Sequence, residues 1–158
     1  MKRTQALMLA VLVFLPPLAT PAAAKTLVYC PVLAPEGFDP APYTLPDTFD
    51  ASAQTIYDRL VAYRPGTTEI EPALATGWEV SRNGLEYRFD LRPDVRFQGR
   101  GDFQPSRALT ADDVLFSFER QWREDHPYFG YAGGDWPYFN GMSMPAILRD
   151  IRKEDDHT

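Results

Sequence analysis

The sequence predicts an α/β chain, because segments with strand and helix periods follow one another along it. The clearest run lies between Leu74 and Arg120. Trp78-Glu79-Val80-Ser81 and Tyr87-Arg88-Phe89-Asp90-Leu91-Arg92 alternate apolar and polar side chains, the period of half-buried strands. Asn83-Gly84 between them suits the positive φ values of a type I′ hairpin turn. Trp78, Val80, Tyr87, Phe89 and Leu91 then share a core face, and Glu79, Glu86, Arg88 and Asp90 face water. A helix start follows. Thr110 with Asp113 approximates a capping box, and Asp112-Asp113 suits the positive end of a helix dipole. Val114, Phe118 and Trp122 recur every four residues and give that helix one apolar face.

The first 24 residues read as a secretory signal. Lys2 and Arg3 form the charged region, Ala6 to Leu15 the apolar run, and Ala22-Ala23-Ala24 the cleavage site. The apolar run is too short to span a bilayer, and Pro16-Pro17 interrupts it. Thr26 to Cys30 then reads as a short apolar strand. Pro31, Pro35, Gly37, Pro40, Pro42 and Pro46 make the next stretch a long irregular loop, a kind that often carries function. Ala53, Ile56, Tyr57, Leu60 and Val61 keep helical spacing, which predicts a helix over about 51–63 with Asp50 as its cap. Arg64-Pro65-Gly66 ends it. Beyond Arg123 the chain is rich in aromatics and glycine, and Ile147 to Lys153 suits either a helix end or a strand. Asp155 to Thr158 reads as a turn.

Composition narrows the function classes. The 158 residues are 44% hydrophobic and 24% charged, ordinary for a globular domain. The formal charge of −6 falls to −8 once Lys2 and Arg3 leave with the signal. Such an acidic surface argues against nucleic-acid and anionic-lipid partners. His126 and His157 are the only histidines, and neither has a second ligand at metal-site spacing, so no metal is expected. No phosphate-cradling glycine loop and no haem-attachment motif occurs, so no cofactor is expected. Gly141-Met142-Ser143-Met144-Pro145 begins like a nucleophile elbow, but proline replaces the closing glycine. A secreted hydrolase using Ser143 is therefore the weaker reading, and a non-enzymatic binding protein the stronger. Adjacent aspartates on a helix do not face each other, so Asp112-Asp113 is a helix start and not a carboxylate pair. Cys30 is the only cysteine, which in an exported chain leaves open a missing partner or a buried free thiol.

The blocks "LATGWEVSRNGLEYRFDLRPDVRFQ" and "FQPSRALTADDVLFSFERQ" resemble family 5 of the bacterial extracellular solute-binding proteins. "KTLVYCPVLAPEGFDPAPYT", "YDRLVAYRPGTTEIEPALA" and "DWPYFNGMSMP" resemble its dipeptide-binding branch, in the right order from Lys25 to Thr158. The resemblance implies a type II periplasmic-binding-protein-like fold carrying the extra lobe of peptide-binding members. Residues 25–56 would be the first strand and cleft loop of the main lobe, and 57–158 most of the additional lobe. By that comparison the sequence stops in mid-motif, as an N-terminal fragment. It implies a monomeric periplasmic component of an ABC importer, capturing dipeptides or short peptides for an inner-membrane permease. Antimicrobial peptide, oligopeptide or haem are the alternative ligands on the same fold, and a small self-sufficient binding module is a further one.

Site residues carry over position by position. Thr44-Leu45-Pro46 stands where relatives offer polar groups to the peptide, although Leu45 and Pro46 replace a small Ser-Gly pair and Pro46 lacks a donor; a rigid surface loop is its other reading. Tyr128 matches a tyrosine that, in the oligopeptide branch of the family, lines the pocket for the peptide amino terminus; ordinary aromatic packing is its other reading. Trp136, Tyr138 and Phe139 suit either a side-chain pocket or packing. In the dipeptide-binding branch the cysteine matching Cys30 pairs with one far downstream, and the main anchors for the peptide termini also lie far downstream, beyond position 158. Amino-terminal sequencing of the exported protein is expected to begin at Lys25; a start at Met1 would show that the signal is retained.

Overall fold

The computed structural model describes Thr26 and residues 28–158, so the signal segment lies outside the described residues. The chain divides into two compact units, Met1–Cys30 and Pro31–Thr158. In the first, Val28, Tyr29 and Cys30 join no strand, contrary to the strand expected over 26–30. A strand exists through its hydrogen-bonded neighbour, which a run of apolar side chains does not supply. Leu27 lies outside the described residues.

The second unit begins with the proline-rich loop and the helix α1, Pro46–Ala51. Pro46 presets the first helical φ, and Asp47 places negative charge in the first turn. The helix expected over about 51–63 does not form: α1 shares only Ala51 with that span, and Asp50 lies inside α1 instead of capping a later helix. Val61–Tyr63 is instead strand β1, paired antiparallel with β2, Ile70–Pro72. Arg64-Pro65-Gly66 thus opens a hairpin turn; the Arg64 amide donates to Glu69 at 2.9 Å and the two side chains form an ion pair. Tertiary pairing overrides the helical spacing. Leu74 and Ala75 donate their amides to the carbonyls of Arg59 and Leu60 at 2.8 and 2.9 Å, so that segment is extended. Ile56 and Tyr57, assigned by spacing to a buried face, are 57% and 50% exposed.

The main hairpin forms as its alternation predicts. β3, Ala75–Val80, pairs antiparallel with β4, Tyr87–Leu91, and Trp78 lies opposite Phe89. Its turn differs from the expected type I′. Gly84 has φ 71° but Asn83 keeps a negative φ, and the Gly84 amide closes the turn on the Ser81 carbonyl at 2.9 Å. The Asn83 side chain does other work, accepting from Ser81 Oγ and from the Leu85 amide. Burial also fades along the ribbon: Leu91 is buried, whereas Val80 and Tyr87 are 47% and 61% exposed. The shared face was predicted correctly, but only its base meets a core. A bulge at Thr76, whose hydroxyl donates to the Asp90 carbonyl at 3.0 Å, separates base from tip.

That core comprises Ala75, Leu91, Leu109 and Ala111, with Leu60, Leu74, Phe89, Val95 and Val114 packed around it. Leu109 and Ala111 flank the start of α2, Ala111–Trp122, whose cap is the predicted capping box. Asp113 accepts the Thr110 amide at 2.8 Å and takes a two-pronged ion pair from Arg107 at 2.6 and 2.8 Å. The final turn is tied to the same junction. Leu91 donates its amide to His157 at 2.7 Å, Ala111 to Asp156 at 2.9 Å, and Lys153 bridges Asp112 and Asp156. Arg88 reaches Glu154 from the outer side of β4. Ile147 ends a short helix, and 148–153 is irregular, neither a longer helix nor a strand.

The Arg107 hydrogen bonds hold the Asp113 carboxyl below the usual carboxylate range, helped by the Thr110 amide and opposed by burial. A folded-state pKa below the unfolded one stabilises above the unfolded value, about 4, and the benefit is lost as pH falls through the folded value. Asp113→Ala is expected to cost about 1–2 kcal/mol at neutral pH. In urea titrations the gap between wild type and variant should narrow below pH 4; a gap independent of pH would sink this account of the cap.

Candidate functional site

The expected ligand-contacting residues lie on two separate features of the second unit. Leu45 is the N-cap of α1, with Thr44 before it and Pro46 at its first position. Thr44 and Pro46 are exposed and Leu45 is half-buried. Tyr128 precedes a 3-10 helix, Phe129–Ala132, and is 54% exposed. Its ring stands edge-on to Phe116 of α2 at 5.3 Å, and His126 joins the same cluster. Two surface concavities lie elsewhere. One, of about 350 Å³, is lined by residues including Tyr57, Arg59 and Tyr63; the other, of about 360 Å³, by residues including Arg96, Gln104 and Arg107. Neither contains Thr44, Leu45, Pro46 or Tyr128.

The loop before α1 is nonetheless firmly built. Asp47 Oδ1 accepts the amides of Val32 and Leu33 at 3.0 and 3.3 Å, and the buried Thr48 hydroxyl accepts that of Glu36 at 3.0 Å. Thr48 in turn accepts Ser52 Oγ on its carbonyl, so both buried polar side chains are satisfied. Farther along, Asp39 forms a two-pronged pair with Arg120 of α2, at 2.7 and 2.9 Å. The Arg120 guanidinium lies 5.3 Å from the ring centre of Trp136, within cation–π range. Trp136 is fully buried, and its Nε1 donates to the Phe129 carbonyl at 3.2 Å. Burial pushes the Asp39 carboxyl up, but the Arg120 hydrogen bonds, the Ala41 amide and the Arg120 charge outweigh it and leave the pKa lowered.

This Asp39–Arg120–Trp136 stack escaped the sequence reading. Its members are spread from position 39 to position 136, so no local period joins them; the only signal was a charge set among aromatics in each segment. Trp136 is a packing residue, as one of its two readings held. Phe139 is also buried, and Tyr138 meets Phe49 of α1 at 4.8 Å, joining α1 to α3, Pro137–Gly141. Gly133 and Gly134, at φ 78° and 77°, make the reversal that brings Trp136 under Arg120.

Cys30 is exposed, so the buried-thiol alternative is wrong for it; its neighbours Val28 and Tyr29 are exposed too and offer no apolar cover. Ser143 is the one described non-glycine residue at positive φ, 57°. It stands between α3 and α4, Met144–Ile147, so it follows a helix and lacks the strand that a nucleophile elbow requires. Its carbonyl accepts the Ala146 and Ile147 amides, a corner-forming role. Among the described residues no cluster of His, Cys, Asp or Glu converges as a metal site.

Hairpin, capped helix and aromatic segment together belong to a known class. The chain is a member of the bacterial extracellular solute-binding proteins of family 5: the family described as "Bacterial extracellular solute-binding proteins, family 5 Middle" matches residues 69–158. It is 47% identical over 135 residues to the dipeptide-binding protein of Escherichia coli K12, covering 85% of this chain and 25% of that one. Heme-binding protein A of Haemophilus influenzae is 46% identical over 134 residues, covering 85% and 24%. The crystal structure of a dipeptide-binding protein from Pseudoalteromonas sp. SM9913, in complex with Met-Leu, superposes with a TM-score of 0.78. It is 37% identical and covers 83% of this chain and 26% of that one. The chain thus spans about a quarter of the length of these relatives. The match agrees with the α/β, periplasmic-binding-protein-like fold expected from sequence, and these relatives are binding proteins rather than enzymes.

If Ser143 is a corner residue, Ser143→Gly should relieve its left-handed backbone. Thermal unfolding is expected to show no loss of stability, or a gain of up to about 1 kcal/mol. A clear loss in that variant would mean that the serine side chain has a role this geometry does not explain.

Proposed function

We propose that this chain is part of the substrate-binding component of an ABC importer, which captures dipeptides or other short peptides outside the cytoplasm for an inner-membrane permease. The single observation that carries the reading is the 47% identity to a dipeptide-binding protein over 135 residues. On this reading the protein is periplasmic, monomeric and exported by the Met1–Ala24 signal. Residues 25–56 open the main lobe, and 57–158 supply most of the additional lobe. The main anchors for the peptide termini would lie in the three-quarters of the relatives' length not represented here.

Thr44, Leu45, Pro46 and Tyr128 are the proposed ligand-facing residues. Exposure of Thr44, Pro46 and Tyr128 leaves them available to a ligand. Pro46 has no amide to donate, so any main-chain pairing at this point falls to the Leu45 amide and to carbonyls. Haem is the second reading, favoured by the 46% identity to a heme-binding relative. Calorimetry on the full-length protein, with a panel of dipeptides and with haem, distinguishes the two. Binding of at least one dipeptide at micromolar affinity or better is expected; heat with haem alone would reverse the assignment, and heat with neither would end both.

A further inference from the structure

We propose that Asp39 and Arg120 are positioning residues for ligand capture: seated on Trp136, the pair fixes the 31–45 loop so that Thr44, Leu45 and Pro46 are presented in one arrangement. The inference rests on the peptide-binding reading above and adds to it a named device.

The geometry supports a fixed position more than raw stability. The first part of the loop is held through amides on Asp47 and Thr48 of α1, which belong to its own neighbourhood in sequence. The Asp39–Arg120 pair ties it to a distant element, 81 residues away on α2. The guanidinium is itself aligned by the buried Trp136 ring, so Asp39 inherits its place from the core. Two parallel hydrogen bonds to a planar fork fix both distance and direction, which a lysine point charge does not. Between Asp39 and Thr44 the chain is short and stiff. Pro40 and Pro42 fix two φ angles, the Ala41 amide returns to Asp39 at 3.1 Å, and the Tyr43 amide closes on Pro40 at 3.3 Å. A shift at Asp39 is therefore carried to Thr44 with little slack.

The pair's gain in stability is reduced by its burial. Its side chains are only 18% and 22% exposed, so desolvation offsets much of the attraction. Arg120 Nε is buried without an acceptor among the described residues, a further penalty. Retaining such a pair makes sense where orientation matters.

The test compares wild type, Asp39→Asn, Arg120→Lys and the double variant of the full-length protein, with melting temperature recorded for each. Hydrogen exchange is read at the amides of Val32, Leu33, Glu36, Ala41 and Tyr43, and affinity for the dipeptide Met-Leu by calorimetry. Each single change is expected to speed exchange at Ala41 and Tyr43 about tenfold, with the α1-held Val32, Leu33 and Glu36 amides and the β3–β4 amides as unchanged controls, and to weaken Met-Leu binding about tenfold. The double variant should be no worse than the singles, since all three remove one contact. Exchange at Ala41 and Tyr43 within twofold of wild type would overturn the anchoring. Faster exchange with unaltered affinity would make the pair merely structural and overturn the proposal as well. If wild type itself fails to bind Met-Leu or any other dipeptide, the peptide reading falls and takes this inference with it; if wild type binds and the variants bind equally, only this inference falls.

Discussion

Ala111, the first residue of α2, gives its amide to Asp156 while its side chain closes the core over Leu91. Three otherwise separate parts meet there: the base of the β3–β4 hairpin, the helix start and the final turn. Leu91 repeats the arrangement, buried on one side and donating to His157 with its backbone. The Asp113–Arg107 clamp holds the helix end in place, and Lys153 ties the final turn to Asp112 and Asp156. The described core is small, so these directed contacts matter more than they would around a large one.

The parts of this junction that depend on near neighbours were legible in the sequence. An alternating ribbon around Asn83-Gly84 and a Thr-Asp cap are local devices, and both formed. The failures came where distant contacts chose between local options. Leu60 and Val61 have helical spacing, yet their backbones pair with Ala75 and with Pro72. Helix formation over 51–63 would leave those partners without bonds, so extended structure wins. The turn shows the same on a smaller scale: Asn83 can take a positive φ, but its side chain is better employed bonding Ser81 and Leu85. The aromatic stretch after Arg123 has no period at all, and its short helices are started by Pro137 and Pro145, not by an apolar face.

The candidate site was legible only as individual residues. Thr44–Pro46 and Tyr128 could be pointed out by family resemblance, but the stack that fixes the loop around the former could not. An aspartate in a proline-rich loop and an arginine on a half-polar helix each look like ordinary solvated charges. They become a unit once the Gly133-Gly134 reversal lays Trp136 beneath the guanidinium. Long-range ion pairs carry no sequence period, and reading them requires the fold first.

What this part of the fold leaves open follows from the same division between scaffold and site. A dipeptide-binding and a heme-binding relative are 47% and 46% identical to the chain over the same share of it. Near-equal likeness to proteins named for such different ligands means that identity here records a shared scaffold: the hairpin, the capped helix and the closure of the final turn. Discrimination between a zwitterionic dipeptide and a flat macrocycle has to come from few positions or from elsewhere along the relatives' length. On the proposed reading, the positions of this chain with that freedom are the exposed ones on the proline-rich loop and the aromatic turn. The buried partners beneath them, Thr48 and Trp136, are committed to holding those surfaces still.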